Sequence, residues 1–199
     1  MEKNKERVGL LFGSFNPIHI GHLIIANYIV ENTNINKIWF VVSPHNPLKN
    51  SKDLLEESLR YKLVKLAIKK NKNFKASDLE FGMEKPSYTI KTLRYLKSKY
   101  KTREFVLIIG EDNLDSFEKW KDYKEILSSY EIMVYPRANI RTDKFSDNRN
   151  IYRVKAPQIE ISSTQIRENI RQNKSNAYLL PEAVRKEINN NNYYCNSQD

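Results

Sequence analysis

Short, continuously apolar runs alternate along this chain with segments of helical length and spacing. Residues 8–12 (VGLLF), 37–43 (KIWFVVS), 105–109 (FVLII) and 131–135 (EIMVY) read as strands buried on both faces. Residues 74–81 are expected as a further, more exposed strand, with short strands at 152–155 and 158–161. Helices are expected over 23–30, over 58–70 with Leu59, Leu63, Leu66 and Ala67 on one stripe, and from an N-cap at Ser87 to about Ser98. Residues 112–128 read as loop plus helix and 139–150 as a polar loop, and 163–172 and 181–189 close the chain as helices. Strictly alternating strands and helices predict an α/β fold, a Rossmann-like parallel sheet with helices on both faces. Such sheets bind ligands beyond the carboxyl ends of their strands, so the loops after Phe12, Val42 and Ile109 are where chemistry is expected.

The 199 residues suit one domain, with a core over about 8–188 and a flexible tail at 189–199, where NNNN precedes YYCNSQD. No apolar run approaches the roughly 18 residues that cross a bilayer. The single cysteine, Cys195, cannot form an internal disulfide, which fits a reducing cytoplasm. The formal charge of +10 attracts anions, whether nucleic acid or small phosphorylated ligands, although a Lys-rich solvated surface explains most of it.

All three histidines, His19, His22 and His45, lie in the loops after the first two strands. His19 and His22 straddle the start of the first helix in GSFNPIHIGH and share one face. A helix start presents free N–H groups and a partial positive charge, which favours phosphate, and imidazole donors there would stabilise charge developing on a phosphoryl group. A metal pair is the competing reading, but HExxH needs a glutamate and i,i+4 spacing. Gly13 and Gly21 fit a tight turn with close ligand approach. Near the other end, ISSTQIR (161–167) offers hydroxyls and N–H groups at a helix start, with the Arg167 fork one turn in. By itself this segment reads first as an ordinary cap followed by an exposed arginine.

Taken together, the two segments resemble the HxGH nucleotidyltransferase superfamily and, within it, the bacterial nicotinate-nucleotide adenylyltransferase family. That family's GGTFDPIHxGH, SYTxDTL, GxD-to-Trp and ISSTxIR boxes correspond here to FGSFNPIHIGH, SYTIKTL (87–93), GEDNLDSFEKW (110–120) and 161–167, followed by Leu180 and Pro181. The likeness spans residues 8 to about 188. Phe12, Ser14, Asn16 and Lys91 depart from the pattern, replacing glycine, threonine, aspartate and aspartate.

The resemblance implies that ATP is bound by Gly13, Ser14, Phe15, His19, His22, Ser162, Ser163, Thr164 and Arg167, with His19, His22 and Arg167 catalytic. It implies an acceptor, nicotinate mononucleotide, held by His45, Lys49, Thr89, Asp112, Trp120 and Arg137. Thr89 would meet the carboxylate and Trp120 would stack on the pyridinium ring. Trp120 could otherwise be core, Asp112 a helix cap, Arg137 an exposed turn residue, and His45 and Lys49 members of a solvated loop. Mg²⁺ is expected to arrive with ATP without dedicated protein ligands. No nucleic acid or membrane partner is expected, and a homo-oligomer stays open. The alternatives are a sister enzyme acting on nicotinamide mononucleotide, phosphopantetheine or a cytidylyl-transfer substrate, and a nucleic-acid-binding protein. The last leaves the clustered histidines unexplained.

Overall fold

The computed structural model describes residues 5–44, 54–138, 140 and 142–195. Its strands are β1 (Glu6–Gly13), β2 (Lys37–Val42), β3 (Phe74–Ser77), β4 (Arg103–Gly110), β5 (Ile132–Tyr135) and β6 (Ile151–Arg153). They form one parallel sheet in the order β3-β2-β1-β4-β5-β6. The chain winds outward from β1 to β3, then returns to β4 on the other side of β1. The order therefore reverses between β1 and β4, which opens a crevice at their carboxyl ends, at Gly13 and Gly110.

The helices are α1 (Ile20–Asn32), α2 (Glu57–Ile68), α3 (Thr89–Lys99), α4 (Glu111–Asp115), α5 (Tyr123–Ser129), α6 (Ser163–Arg171) and α7 (Glu182–Asn190). Strand residues point alternately to two cores. Ile38, Phe40, Val42, Val106 and Ile108 pack with α1, α2, α6 and α7. Val8, Leu10, Trp39, Val41, Leu107 and Ile109 pack with α3, α4 and α5. Burial on both faces is why these strands read as unbroken apolar runs.

Four expectations change. The strand expected over 74–81 stops at Ser77. A 3-10 turn, Leu79–Gly82, follows and carries Glu80 into the interior at 2% exposure. Residues 158–161 form no strand: Pro157 lacks a ladder N–H, and Ile159 instead packs close to Gly21. The N-cap of α3 is Tyr88, because the Ser87 hydroxyl is taken up by the Glu80 carboxylate at 3.0 Å. Finally, 189–195 is not a loose tail. Tyr193 and Tyr194 fold back onto the α1/α2/α6/α7 core.

At the amino ends of the strands the sheet is tied by charge. Arg7 bonds Glu104 at 2.9 Å and Glu131 at 2.5 Å, while Glu6 pairs with Lys37 and Arg103, each at 2.7 Å. This network lies at the end of the sheet opposite the crevice.

Candidate active site

β1 ends at Gly13 and the chain turns into a short loop before α1. Phe15 in that loop has φ of 45°, a left-handed conformation that costs a non-glycine residue about 1–2 kcal/mol. Its ring is buried, edge-on to His22 at 5.1 Å and against Phe40 at 5.7 Å. Two guanidiniums hold the carbonyls on either side of it. Arg60 of α2 donates to Ser14 O (2.6 Å), and Arg167 of α6 donates to Asn16 O (2.8 Å). The Asn16 side chain accepts from Leu55 N at 3.1 Å, and Ser163 Oγ donates to Pro17 O at 2.9 Å. Four separate contacts thus fix one six-residue turn.

His19 is the N-cap of α1 and His22 its third residue. His22 Nδ1 accepts from the His19 backbone N–H at 3.3 Å, the place where a capping-box glutamate usually reaches back. A ring nitrogen that accepts carries no proton, so a neutral His22 holds its hydrogen on Nε2. The two rings lie 3.8 Å apart and 33° from parallel. His19 is 5% exposed, and its Nδ1 is buried without a hydrogen-bond partner among the described residues. Burial, reinforced by the Arg137 cation, pushes its pKa down to about 4. His19 is therefore neutral at pH 7 and keeps an N–H for an incoming anion. Gly21 leaves room for this arrangement, since a Cβ there would sit 3.0 Å from His19 Nδ1 and 3.0 Å from Ile159.

Across the crevice, Ser162 caps α6 by accepting from Gln165 N at 3.1 Å, which leaves its own O–H to donate. Ser163 is engaged with Pro17, while Thr164 is exposed, its Oγ1 3.5 Å from Arg167 Nη2. Arg137, just past β5, has its Nε 3.5 Å from Asp112 Oδ1 and bonds the Tyr135 hydroxyl at 3.2 Å. Asp112 lies in the first turn of α4 and is not its cap, which is Gly110. Asp112, Arg137, Ile159 and Ser162 share a cleft of about 270 Å³. Asp112 and Arg137, expected on the acceptor side, thus open onto the same cleft as Ser162 of the phosphate box.

Thr89 is the first residue of α3, and Trp120 follows a 3-10 turn, with its ring 5.0 Å from Phe117. Lys121 Nζ sits 4.6 Å from the Tyr88 ring centre, so the SYT segment and the Trp120 segment adjoin. Trp120 is half-buried against the α3–α5 core, neither a fully enclosed core residue nor a free surface one. Lys91 is turned to Glu84 at 2.5 Å, which neutralises the cation that stands in place of an aspartate. His45 and Lys49 lie outside the described residues.

Two residues that sequence reasoning passed over hold this site. Arg60 is fully buried and donates to four carbonyls: Leu55, Ser14, Ser43 and Pro44, at 2.6–2.8 Å. It joins the loop after β1 to the loop after β2. Its signal was available, since position 60 continues the face of Leu63, Val64 and Ile68. Glu80 accepts from Thr92 (2.7 Å) and Ser87 (3.0 Å), and the Ser43 side chain also bonds it. Burial, opposed by these hydroxyls, raises its pKa.

A parallel sheet with a histidine-capped helix at its switch point defines a nucleotidyl-transfer fold, and comparison with known proteins agrees. Residues 10–169 match the family described as cytidylyltransferase-like. A Cytophaga hutchinsonii protein named "Probable nicotinate-nucleotide adenylyltransferase" is 48% identical over 190 residues, covering 96% of this chain and 99% of its own. One of the same name from Flavobacterium psychrophilum is 50% identical over 190 residues, covering 94% and 98%. Among solved structures, "Plasmodium falciparum nicotinic acid mononucleotide adenylyltransferase complexed with NaAD" superposes with a TM-score of 0.82 at 19% identity, covering 95% and 97%. The chain belongs to the cytidylyltransferase-like family and, within it, to the nicotinate-nucleotide adenylyltransferases.

Proposed function

We propose that this protein transfers AMP from ATP to nicotinate mononucleotide, giving nicotinate adenine dinucleotide and pyrophosphate. The close His19–His22 pair at the start of α1, reached by a turn that Ser163 and Arg167 of α6 bond at Pro17 O and Asn16 O, is the observation that carries the reading. An oxygen of the acceptor phosphate bonds to the α-phosphorus of ATP. The bond from that phosphorus to the bridging oxygen breaks, and pyrophosphate leaves in line with the attack. Such a reaction needs positioning and charge neutralisation more than covalent help from the protein. His19, His22 and Arg167 supply N–H donors to the charge that builds on the phosphates. The loop at Gly13, Ser14 and Phe15 lies against the nucleotide, with Ser162, Ser163 and Thr164 opposite. Trp120 stacks on the pyridinium ring and Thr89 meets the carboxylate. Asp112 and Arg137 reach the sugar and phosphate where the halves meet, and His45 and Lys49 take the acceptor phosphate.

Among the described residues no three of His, Cys, Asp or Glu come together as a metal cage. We assign Mg²⁺ to the triphosphate, as part of the substrate. No described helix is long and apolar enough to cross a membrane, and we assign the reaction to the cytoplasm, in a single domain.

The test is pyrophosphate release by the purified protein with ATP and Mg²⁺, with nicotinate and nicotinamide mononucleotides compared. A strong preference for the acid supports the pocket at Thr89 and Trp120. Equal use of the amide overturns that pocket while keeping the ATP chemistry. Release with neither overturns the acceptor assignment.

A further inference from the structure

At the carboxyl end of β5 the chain sets a buried aromatic ring under the cation that lines the cleft with Ser162. Tyr135, the last residue of β5, is 5% exposed and pairs in register with Gly110, the last residue of β4. Two residues on, Arg137 folds back over it. The guanidinium carbon lies 5.1 Å from the centre of the Tyr135 ring, and Nη2 donates to the Tyr135 hydroxyl at 3.2 Å. Gly110 makes the room: a Cβ there would strike Asp112 Oδ1 and come within 3.1 Å of Arg137 Nε and 3.2 Å of the Tyr135 ring. The backbone of the same arginine is held as well, its N–H donating to Glu111 Oε2 at 3.4 Å.

The two side chains beside this guanidinium differ in what they leave it able to do. Asp112 is exposed, its Oδ1 is 3.5 Å from Arg137 Nε, and Nε makes no hydrogen bond among the described residues. An ion pair that long and that open to water holds a side chain weakly, and it offsets the cation's charge. The Tyr135 hydroxyl is enclosed, where a hydrogen bond is stronger than in water. Burial pushes the phenol up, against the Arg137 cation, so it is uncharged at pH 7. A neutral acceptor fixes the arginine and leaves its charge for an anion. That charge is felt on the phosphate side of the site: Arg137 shares the cleft with Ser162 and helps to hold His19 unprotonated. A free arginine side chain gives up much rotamer freedom when it meets a ligand, and a group that holds it in place beforehand removes that cost.

We propose that Tyr135 is a positioning residue of the nucleotide site, its ring and hydroxyl holding the Arg137 guanidinium in the cleft for the phosphates of ATP. The end of β5 then supplies a third support to a site otherwise built on α1 and α6. This rests on the ATP side of the reading above and does not depend on the acceptor.

The experiment is a double-mutant cycle of Tyr135→Phe, Arg137→Met and the two together. It is read as the Kd of a non-hydrolysable ATP analogue by calorimetry, with the melting temperature of each protein. Tyr135→Phe keeps the ring and its packing and loses only the hydroxyl. It is expected to weaken analogue binding about fivefold, the size of one hydrogen bond, with melting within a few degrees of the unmodified protein. Arg137→Met should weaken binding at least as much. In the Arg137→Met background, adding Tyr135→Phe should change binding by less than about twofold, because no guanidinium is left to hold. A role in packing alone would persist in that background. The proposal is overturned if Tyr135→Phe binds the analogue as tightly as the unmodified protein, or if its fivefold loss remains without Arg137. Failure of the functional reading is separate: the unmodified protein would bind the analogue yet release no pyrophosphate with nicotinate mononucleotide.

Discussion

His19 and His22 share a helix turn, yet their surroundings give them different tasks. His22 is half-exposed and oriented by the His19 backbone, and in the proposed reaction its Nε2–H donates to phosphate. His22→Ala should lower kcat by about 10²–10³-fold, the usual effect of losing a preorganised donor, with a melting change of only a few degrees. Stopped-flow turnover and calorimetry on the same variant separate the two. His19 predicts a stability signature. Unfolded His19 takes up a proton near pH 6.5, while the folded protein refuses it until about pH 4. Between those values the unfolded state binds more protons, so stability is full above pH 6.5 and falls as the pH drops to 4. The loss is about 3 kcal/mol. Urea titrations from pH 4 to 7 should show that slope, and His19→Gln should flatten it. These two residues were legible in the sequence because the pattern of histidine, glycine and helix start is local. The roles of Arg60 and Glu80 were not: spacing puts Arg60 on the buried face of Leu63, Val64 and Ile68, but nothing local says that its guanidinium bonds the Ser14 carbonyl 46 positions away or that Glu80 meets Thr92 12 positions on.

At the scale of elements, the strands were readable where both faces are buried and hard to bound elsewhere. The runs at 8–12, 37–43, 105–109 and 131–135 all became central strands, while the edge segment at 74–81 shortened because β3 pairs only with β2. Its second half turned inward to place Glu80, which joins the end of β2 to the start of α3 through Ser43, Ser87 and Thr92. That makes Glu80 an element-level strut beneath Thr89. Glu80→Gln loses one acceptor for those hydroxyls, at about 1–2 kcal/mol. The nicotinate mononucleotide KM should rise several-fold while the ATP KM stays within about twofold, and steady-state kinetics with each substrate varied will show it. A second element, the start of α1, depends on the absence of a side chain at Gly21. Gly21→Ala presses a methyl group against the His19 ring and Ile159. Lower kcat is expected with helix content, read by circular dichroism, intact.

Across the whole molecule, charge that braces the sheet and chemistry sit at opposite ends of the strands. Arg7, Glu104 and Glu131 bind β1, β4 and the approach to β5 at the amino ends, remote from Gly13 and Gly110. Arg7→Met strands two partly buried carboxylates, at about 1–3 kcal/mol, and should lower melting by roughly 3–8 °C. Both KM values and kcat should be unchanged, and a fall in kcat would mean that the two ends are coupled. The sheet also divides the protein in the other direction. His19, His22, Arg60, Arg167 and Tyr194 belong to the layer of α1, α2, α6 and α7, whereas Thr89 and Thr92 on α3, and Trp120, belong to the layer beyond the sheet. Each layer has its own core, and the two share the strands between them and the cleft lined by Asp112, Arg137 and Ser162. Descendants of such a scaffold can therefore redraw the half that recognises the acceptor and inherit the phosphate-handling half untouched. One ancestral machine for moving AMP could in this way be refitted to new recipients without having to relearn its chemistry.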